Sequence, residues 1–230
     1  TLLAAALRLW QIDRQIVLDD EWHSISKFAA ASYGNIARSF GTADHSIPLT
    51  LLLKWIAEQG ALSEYPLYAL PLIFGMATFV LLVLATRRFL PPAALVTFAG
   101  LLAISPLLIL YSRQMRPYAL VLCLSLVALW AAWNWTRRRR LVHGLLYALA
   151  TALTGWMHMV FLPALFGIWL YLLPAAALHK PRNWRTLAWT VAPAALALLL
   201  VSALLAPAFL ADWQSISAKA GTDHITADGA

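Results

Sequence analysis

Charge is scarce in this sequence, and acid is scarcer than base. Only 12% of the 230 residues are charged, with 10 Asp or Glu against 17 Lys or Arg, while 62% are hydrophobic. Soluble domains run near half apolar and about a quarter charged, so the shortage excludes an ordinary water-soluble core and points to a bilayer protein. A single cysteine, Cys123, excludes an internal disulfide and a thiolate metal site. No glycine-rich phosphate loop, internal repeat or low-complexity tract is present. The net charge of +7 would suggest nucleic acid in a soluble protein. Here the basic residues cluster between apolar runs, so membrane orientation accounts for them and no nucleic-acid partner is expected.

What the chain has in abundance is long apolar runs. A spanning helix needs about 20 mostly apolar residues. Tyr65–Thr86, Ala93–Tyr111, Tyr118–Trp135, Leu141–Trp156, Val160–Leu178 and Leu187–Leu210 meet or approach that need. Leu2–Ile12 reads as the outer end of a seventh span, cut short, and the chain as an excerpt of a longer protein. The breaks carry basic residues and prolines, where helices should end. The predicted fold is therefore all-α, a polytopic transmembrane helical bundle of about seven spans. Its parts are the end of the first span (1–12), a long outer loop (13–64), spans two to seven (65–210) and a further outer segment (211–230).

Alternating spans place Arg87-Arg88, Arg137–Arg140 and Lys180/Arg182/Arg185 on one side. By the positive-inside rule that side is the cytoplasm. The opposite side then receives all 10 carboxylates, from Asp13 to Asp228. Localisation in a plasma membrane follows, with the long first loop extracytoplasmic. Within that loop Leu49, Leu52, Leu53 and Ile56 keep helical spacing, and Pro48 suits a first turn. A weaker face runs through Trp22, Ile25, Phe28 or Ala29, Ser32 and Ile36. Both suit helices lying on a membrane surface.

Candidate chemistry gathers on the outer side. Asp19-Asp20-Glu21 sets three carboxylates together, and mutual repulsion can lift such groups toward the range of a general base. Capping of the first surface helix is the plainer reading. Asp44 and His45 precede the second surface helix, and Asp20, Asp44 and His45 could hold a divalent cation through oxygen and imidazole. That spacing does not by itself establish a metal. Arg113 and Arg116 lie in Tyr111-Ser112-Arg113-Gln114-Met115-Arg116-Pro117-Tyr118, on the side where basic residues are unexpected. Guanidinium groups suit phosphate, and lipid-headgroup anchoring between tyrosines is the alternative. Ser105-Pro106 is expected to kink the preceding span. His158 sits at an outer turn, where a satisfied interfacial histidine is the plainer reading. Trp10, Trp22, Trp55, Trp156 and Trp213 suit an interfacial belt.

The order of these features resembles the N-terminal half of the GT-C superfamily of membrane glycosyltransferases. The resemblance covers roughly residues 10 to 160. It rests on Asp20-Glu21, on Asp44-His45-Ser46-Ile47-Pro48-Leu49, on Ser63-Glu64 and on Ser112-Arg113-Gln114-Met115-Arg116-Pro117-Tyr118. It is similar in particular to bacterial protein O-mannosyltransferase-like enzymes, lipopolysaccharide-core galacturonosyltransferases and aminoarabinose transferases. The resemblance implies a polyprenyl-phosphate-linked sugar donor and a lipid, glycan or protein hydroxyl acceptor on the periplasmic face. It places the general base at Asp20 with Glu21 beside it, and donor-phosphate contacts at Arg113, Arg116 and Tyr118. Asp19, Asp44, His45 and His158 become substrate-site candidates. A His-Pro-Pro-Leu-like stretch of the family is here His45-Ser46-Ile47-Pro48-Leu49, which leaves the role of His45 open. A polytopic transporter or lipid flippase, and a non-catalytic membrane scaffold, are the readings this one competes with.

Overall fold

The computed structural model describes residues 1–14, 21–22, 25, 31–40, 46–60, 63–178 and 184–213. Every regular element among them is helical. The α-helices whose bounds lie among the described residues are α1 (Leu2–Leu9), α2 (Tyr33–Ala37), α3 (Ile47–Glu58), α4 (Glu64–Thr86), α5 (Pro92–Ile104), α6 (Pro106–Ser112), α7 (Tyr118–Arg138), α8 (Leu141–Met157), α9 (Leu162–Leu178) and α10 (Trp184–Ala211). Short 3-10 turns cover Ile12–Arg14 and Met159–Phe161. Proline opens α3, α5 and α6 within the first turn, where its missing N–H leaves no hydrogen bond unmade.

Among the described residues three helical stretches are long and apolar enough to cross a membrane: Pro66–Thr86, Tyr118–Arg138 and Ala188–Ala211. The count reaches four if α5 and α6, bent by 52° at their junction, form one broken span. The bend falls at Ser105-Pro106, as expected. Ser105 adopts φ −59° and ψ 116°, the extended conformation that a following proline favours. α8 and the stretch Met159–Pro174 are apolar but shorter. All six segments expected to span are thus helical, while three reach spanning length unbroken. Much of their surface faces outward and is apolar, with Ile73, Val96, Leu170 and Leu199 all exposed. Helices that are apolar all round need an apolar solvent or a larger protein around them.

The tightest packing joins α7, α8 and α10. Ala128, Ala131 and Ala132 of α7 and Ala148 and Ala150 of α8 are buried together with Trp135, Tyr147 and Ala197. Small residues let helix backbones approach closely where no hydrophobic force separates protein from lipid. Gly144 belongs to the same contact: a Cβ there would lie 3.1 Å from the Trp135 ring and 3.2 Å from Pro193. Pro193 lacks the N–H that would bond Trp189 one turn earlier. The Trp135 indole N–H donates to that freed Trp189 carbonyl at 3.1 Å, so the helix interior keeps its hydrogen bonding.

A second core lies under the first loop. Ile12, Ile36, Leu49, Leu53, Tyr68 and Met115 form one buried cluster, joining α2 and α3 to α4 and to the segment that links α6 and α7. The apolar stripe expected on α3 is realised, with Leu49 and Leu53 buried and Leu52 and Ile56 half-buried. Of the weaker face, Ile36 is buried and Trp22 exposed, while Phe28 and Ala29 lie outside the described residues. Trp10, Trp22, Trp55 and Trp213 are all exposed.

Candidate functional site

The 112–118 segment is held in place by residues far from it in sequence. The Arg8 side chain, fully buried, donates from Nε to the Ser112 hydroxyl at 3.2 Å and from one Nη to the carbonyls of Ala4 at 3.0 Å and Ala103 at 3.3 Å. Ala103 is in the last turn of α5, where carbonyls lack helical partners and a cation is favoured by the helix dipole. The second Nη of Arg8 has no hydrogen-bond partner among the described residues. Ser112 also donates to the Leu108 carbonyl at 2.5 Å. It can sit there because position 75 is glycine: a Cβ on Gly75 would fall 2.0 Å from the Ser112 hydroxyl oxygen.

Next in the segment, Arg113 donates to the Gln11 carbonyl at 3.3 Å, tying the loop to the end of α1. Met115 is a buried core residue, and its backbone N–H donates to the Glu21 carboxylate at 2.5 Å. Glu21 is itself fully buried. A buried carboxylate is costly unless hydrogen bonds satisfy it, and a backbone N–H is a strong donor to a charged acceptor. Two motifs that are 94 residues apart thus meet at one bond.

From Met115 an aromatic and cationic row leads to α8. Arg116 is largely buried, and its Cζ stands 5.8 Å from the centre of the Tyr118 ring. That ring lies 5.0 Å from Tyr111 and 5.8 Å from His158. His158 follows the last turn of α8 in an extended conformation, its N–H donating to the Thr154 carbonyl. It also faces Phe161 at 5.7 Å. His158 lines a small cavity of about 90 Å³ with Phe40, Trp156 and Val160. Glu21, Arg116, Tyr118 and His158 therefore occupy one end of the helix assembly. Asp19, Asp20, Asp44 and His45, which include the expected catalytic acid and the expected metal set, lie outside the described residues. Among the described residues no three side chains of His, Cys, Asp or Glu gather.

Two other acids act as fasteners. Asp212 accepts from the Ser39 hydroxyl at 3.0 Å and from the Phe40 N–H at 3.1 Å, and Phe40 packs edge-on against Phe209 at 5.1 Å. Glu58 accepts from the Tyr33 hydroxyl at 2.6 Å and pairs with Lys54 at 3.1 Å. The Tyr33 bond, then Lys54, holds the Glu58 carboxyl below its usual range, and the same bond raises the Tyr33 phenol.

Sequence reasoning missed Arg8, Gly75 and the fastening role of Asp212. Arg8 carried a readable signal, an ionisable residue inside an apolar run, which in membrane helices marks a paired or functional group. Gly75 and Asp212 gave none, because their roles depend on partners far along the chain. No family model, curated protein or solved structure matches this chain.

Proposed function

We propose that this chain forms the catalytic face of a membrane glycosyltransferase that moves a sugar from a polyprenyl-phosphate donor to a hydroxyl acceptor. The reading carries with it the seven-span bundle, the plasma-membrane location and the periplasmic first loop. The observation that supports it best is the bond from the Met115 N–H to Glu21. It ties the acidic segment to the arginine-bearing segment, so that an acid and a phosphate-binding group can serve one substrate pair.

In this scheme Asp20 takes the proton of the acceptor hydroxyl while its oxygen bonds to the anomeric carbon. The bond from that carbon to the phosphate oxygen breaks, and the lipid phosphate leaves with the electron pair. Positioned proton removal of this kind contributes about 10²–10⁴ in rate. Arg113 and Arg116 stabilise the charge that grows on the phosphate, an effect strongest where water is scarce. Tyr118 and His158 border the sugar. Glu21, whose oxygen is occupied by Met115, fixes the backbone beside Asp20. A divalent cation on Asp20, Asp44 and His45 belongs to the same reading as an optional element.

The test is a transfer assay on membranes with a panel of polyprenyl-phosphate sugars and with lipid, glycan and peptide acceptors, read by mass spectrometry. Asp20→Asn is expected to abolish transfer while the protein still accumulates in the membrane. Full activity of that variant would sink the catalytic assignment. A transporter or flippase is favoured by one feature, the broken span at Ser105-Pro106 beside the buried Arg8, since broken helices and buried charges mark transport pathways. Substrate uptake into proteoliposomes with no product formed would establish that reading instead.

A further inference from the structure

A groove of ligand size lies at the opposite end from the candidate site and involves none of its residues. α4, α7 and α8 enclose a space of about 640 Å³ whose walls include Leu81, Leu82, Leu126, Val127 and Leu146, with Arg87 and Arg88 at one end. That volume is in the range of ligand pockets, about 300–1,000 Å³. We propose that this groove is a binding site for an anionic phospholipid of the surrounding bilayer, its phosphate on Arg87 and Arg88 and its acyl chain along the leucine walls.

Three observations carry this. First, the groove is built from α4 and α7, two of the helices long and apolar enough to cross a membrane, so its walls face acyl chains. Second, both arginines are exposed, and no carboxylate pairs with them among the described residues. The sequence has no Asp or Glu between Glu64 and Asp212, so the neighbouring chain supplies no counter-charge. Third, the two chemistries are arranged in series, with cations at the end of α4 and apolar side chains along its preceding turns. Guanidinium groups match phosphate geometry, and basic pockets between membrane helices select anionic headgroups. A free phosphate would leave the leucine walls uncovered, and a zwitterionic lipid would leave the two cations half-answered. Trp130, also in the wall, packs edge-on to the buried His143 at 5.5 Å, which stiffens that side of the groove.

The test uses the whole chain purified in detergent, exchanged with vesicles of dioleoyl-phosphatidylglycerol or dioleoyl-phosphatidylcholine, and examined by native mass spectrometry for retained lipid. Retention of phosphatidylglycerol is expected to exceed that of phosphatidylcholine by roughly tenfold to thirtyfold, from about a factor of five per basic residue near the headgroup. Arg87→Gln with Arg88→Gln should erase the preference. Arg137→Gln with Arg138→Gln, on the same end but outside the groove, should leave it. Ala85 also lines the groove, so Ala85→Trp should fill it and remove retention of both lipids at unchanged charge, and it decides the matter if the Arg87/Arg88 variant does not fold. Equal retention of the two lipids by the native chain overturns the proposal. So does an equal loss in the Arg137/Arg138 variant, or full retention by Ala85→Trp.

Discussion

The two ends of this helix assembly are held together in different ways. At the basic end, α7, α8 and α10 meet through alanines, Gly144 and one indole bond. At the opposite end the contacts are polar and long-range: Arg8 to Ser112, Met115 to Glu21, Ser39 and Phe40 to Asp212. Close packing of small residues is enough to hold one helix against another. It cannot hold an irregular segment, whose backbone groups need partners of their own. The fasteners therefore collect where the chain leaves helical conformation, and the candidate site is built from the same segments.

This contrast can be broken at either end. The largest effect is expected for Gly75→Ala, which puts a methyl group 2.0 Å from the Ser112 hydroxyl. Overpacking of this kind costs about 1–3 kcal/mol, and the tightness of the contact argues for the upper part of that range. Thermal unfolding in nanodiscs measures it, and Ser112→Gly in the same chain should restore part of the loss, the rest being the bond that the buried Arg8 Nε then lacks. Recovery failing to appear would separate Gly75 from Ser112.

Glu21→Ala should come next, because it leaves the Met115 N–H buried without this acceptor, a loss of about 1–3 kcal/mol. Glu21→Gln keeps an acceptor oxygen and should cost less than Glu21→Ala. The reverse order would mean that the charge of Glu21 matters more than its bond to the loop. At the basic end, Trp135→Phe removes the indole donor from the Trp189 carbonyl and should cost about 1 kcal/mol. In a Pro193→Ala background the helix can supply its own N–H to that carbonyl, so the same change should cost less. A double-mutant cycle reads the difference.

The smallest effect belongs to the exposed Tyr33–Glu58 bond. Its contribution is present above the unfolded-state pKa of Glu58 and is lost as pH falls through the lower folded-state value. Tyr33→Phe should move the Glu58 titration upward toward the ordinary carboxylate range, followed by carboxyl NMR, and leave melting at neutral pH almost unchanged. A titration that does not move would assign the shift to Lys54 alone.

The helical class, the turn at Ser105-Pro106 and the helix beginning near Pro48 were legible because each has a local cause, such as apolar run length or proline geometry. Span number was less legible. Composition marks α5 with α6 as one apolar run, yet the geometry divides it, and α8 is apolar but only 17 residues long. In the candidate site, the segments around Glu21 and around Arg113 and Arg116 were visible as unusual polar islands. Their meeting at Met115 was not, because Met115 reads as one more apolar residue until its backbone N–H is followed. The acids expected to mark one active face divide into uses: Glu58 and Asp212 brace loops and Glu21 holds the Met115 backbone, while Asp20 remains the residue on which the proposed chemistry depends.

The link between Arg8 and Ser112 also has a consequence in time. Its two ends are separated by 104 positions, and the bond to Ala103 by 95. Ribosomes add about 5–20 residues per second, so roughly 5–20 s pass between the synthesis of Arg8 and that of its hydroxyl partner. Throughout that interval the chain offers the guanidinium the Ala4 carbonyl of its own helix, with water or lipid headgroups serving the rest, and α1 takes its final depth only after the 104 positions up to Ser112 have followed it.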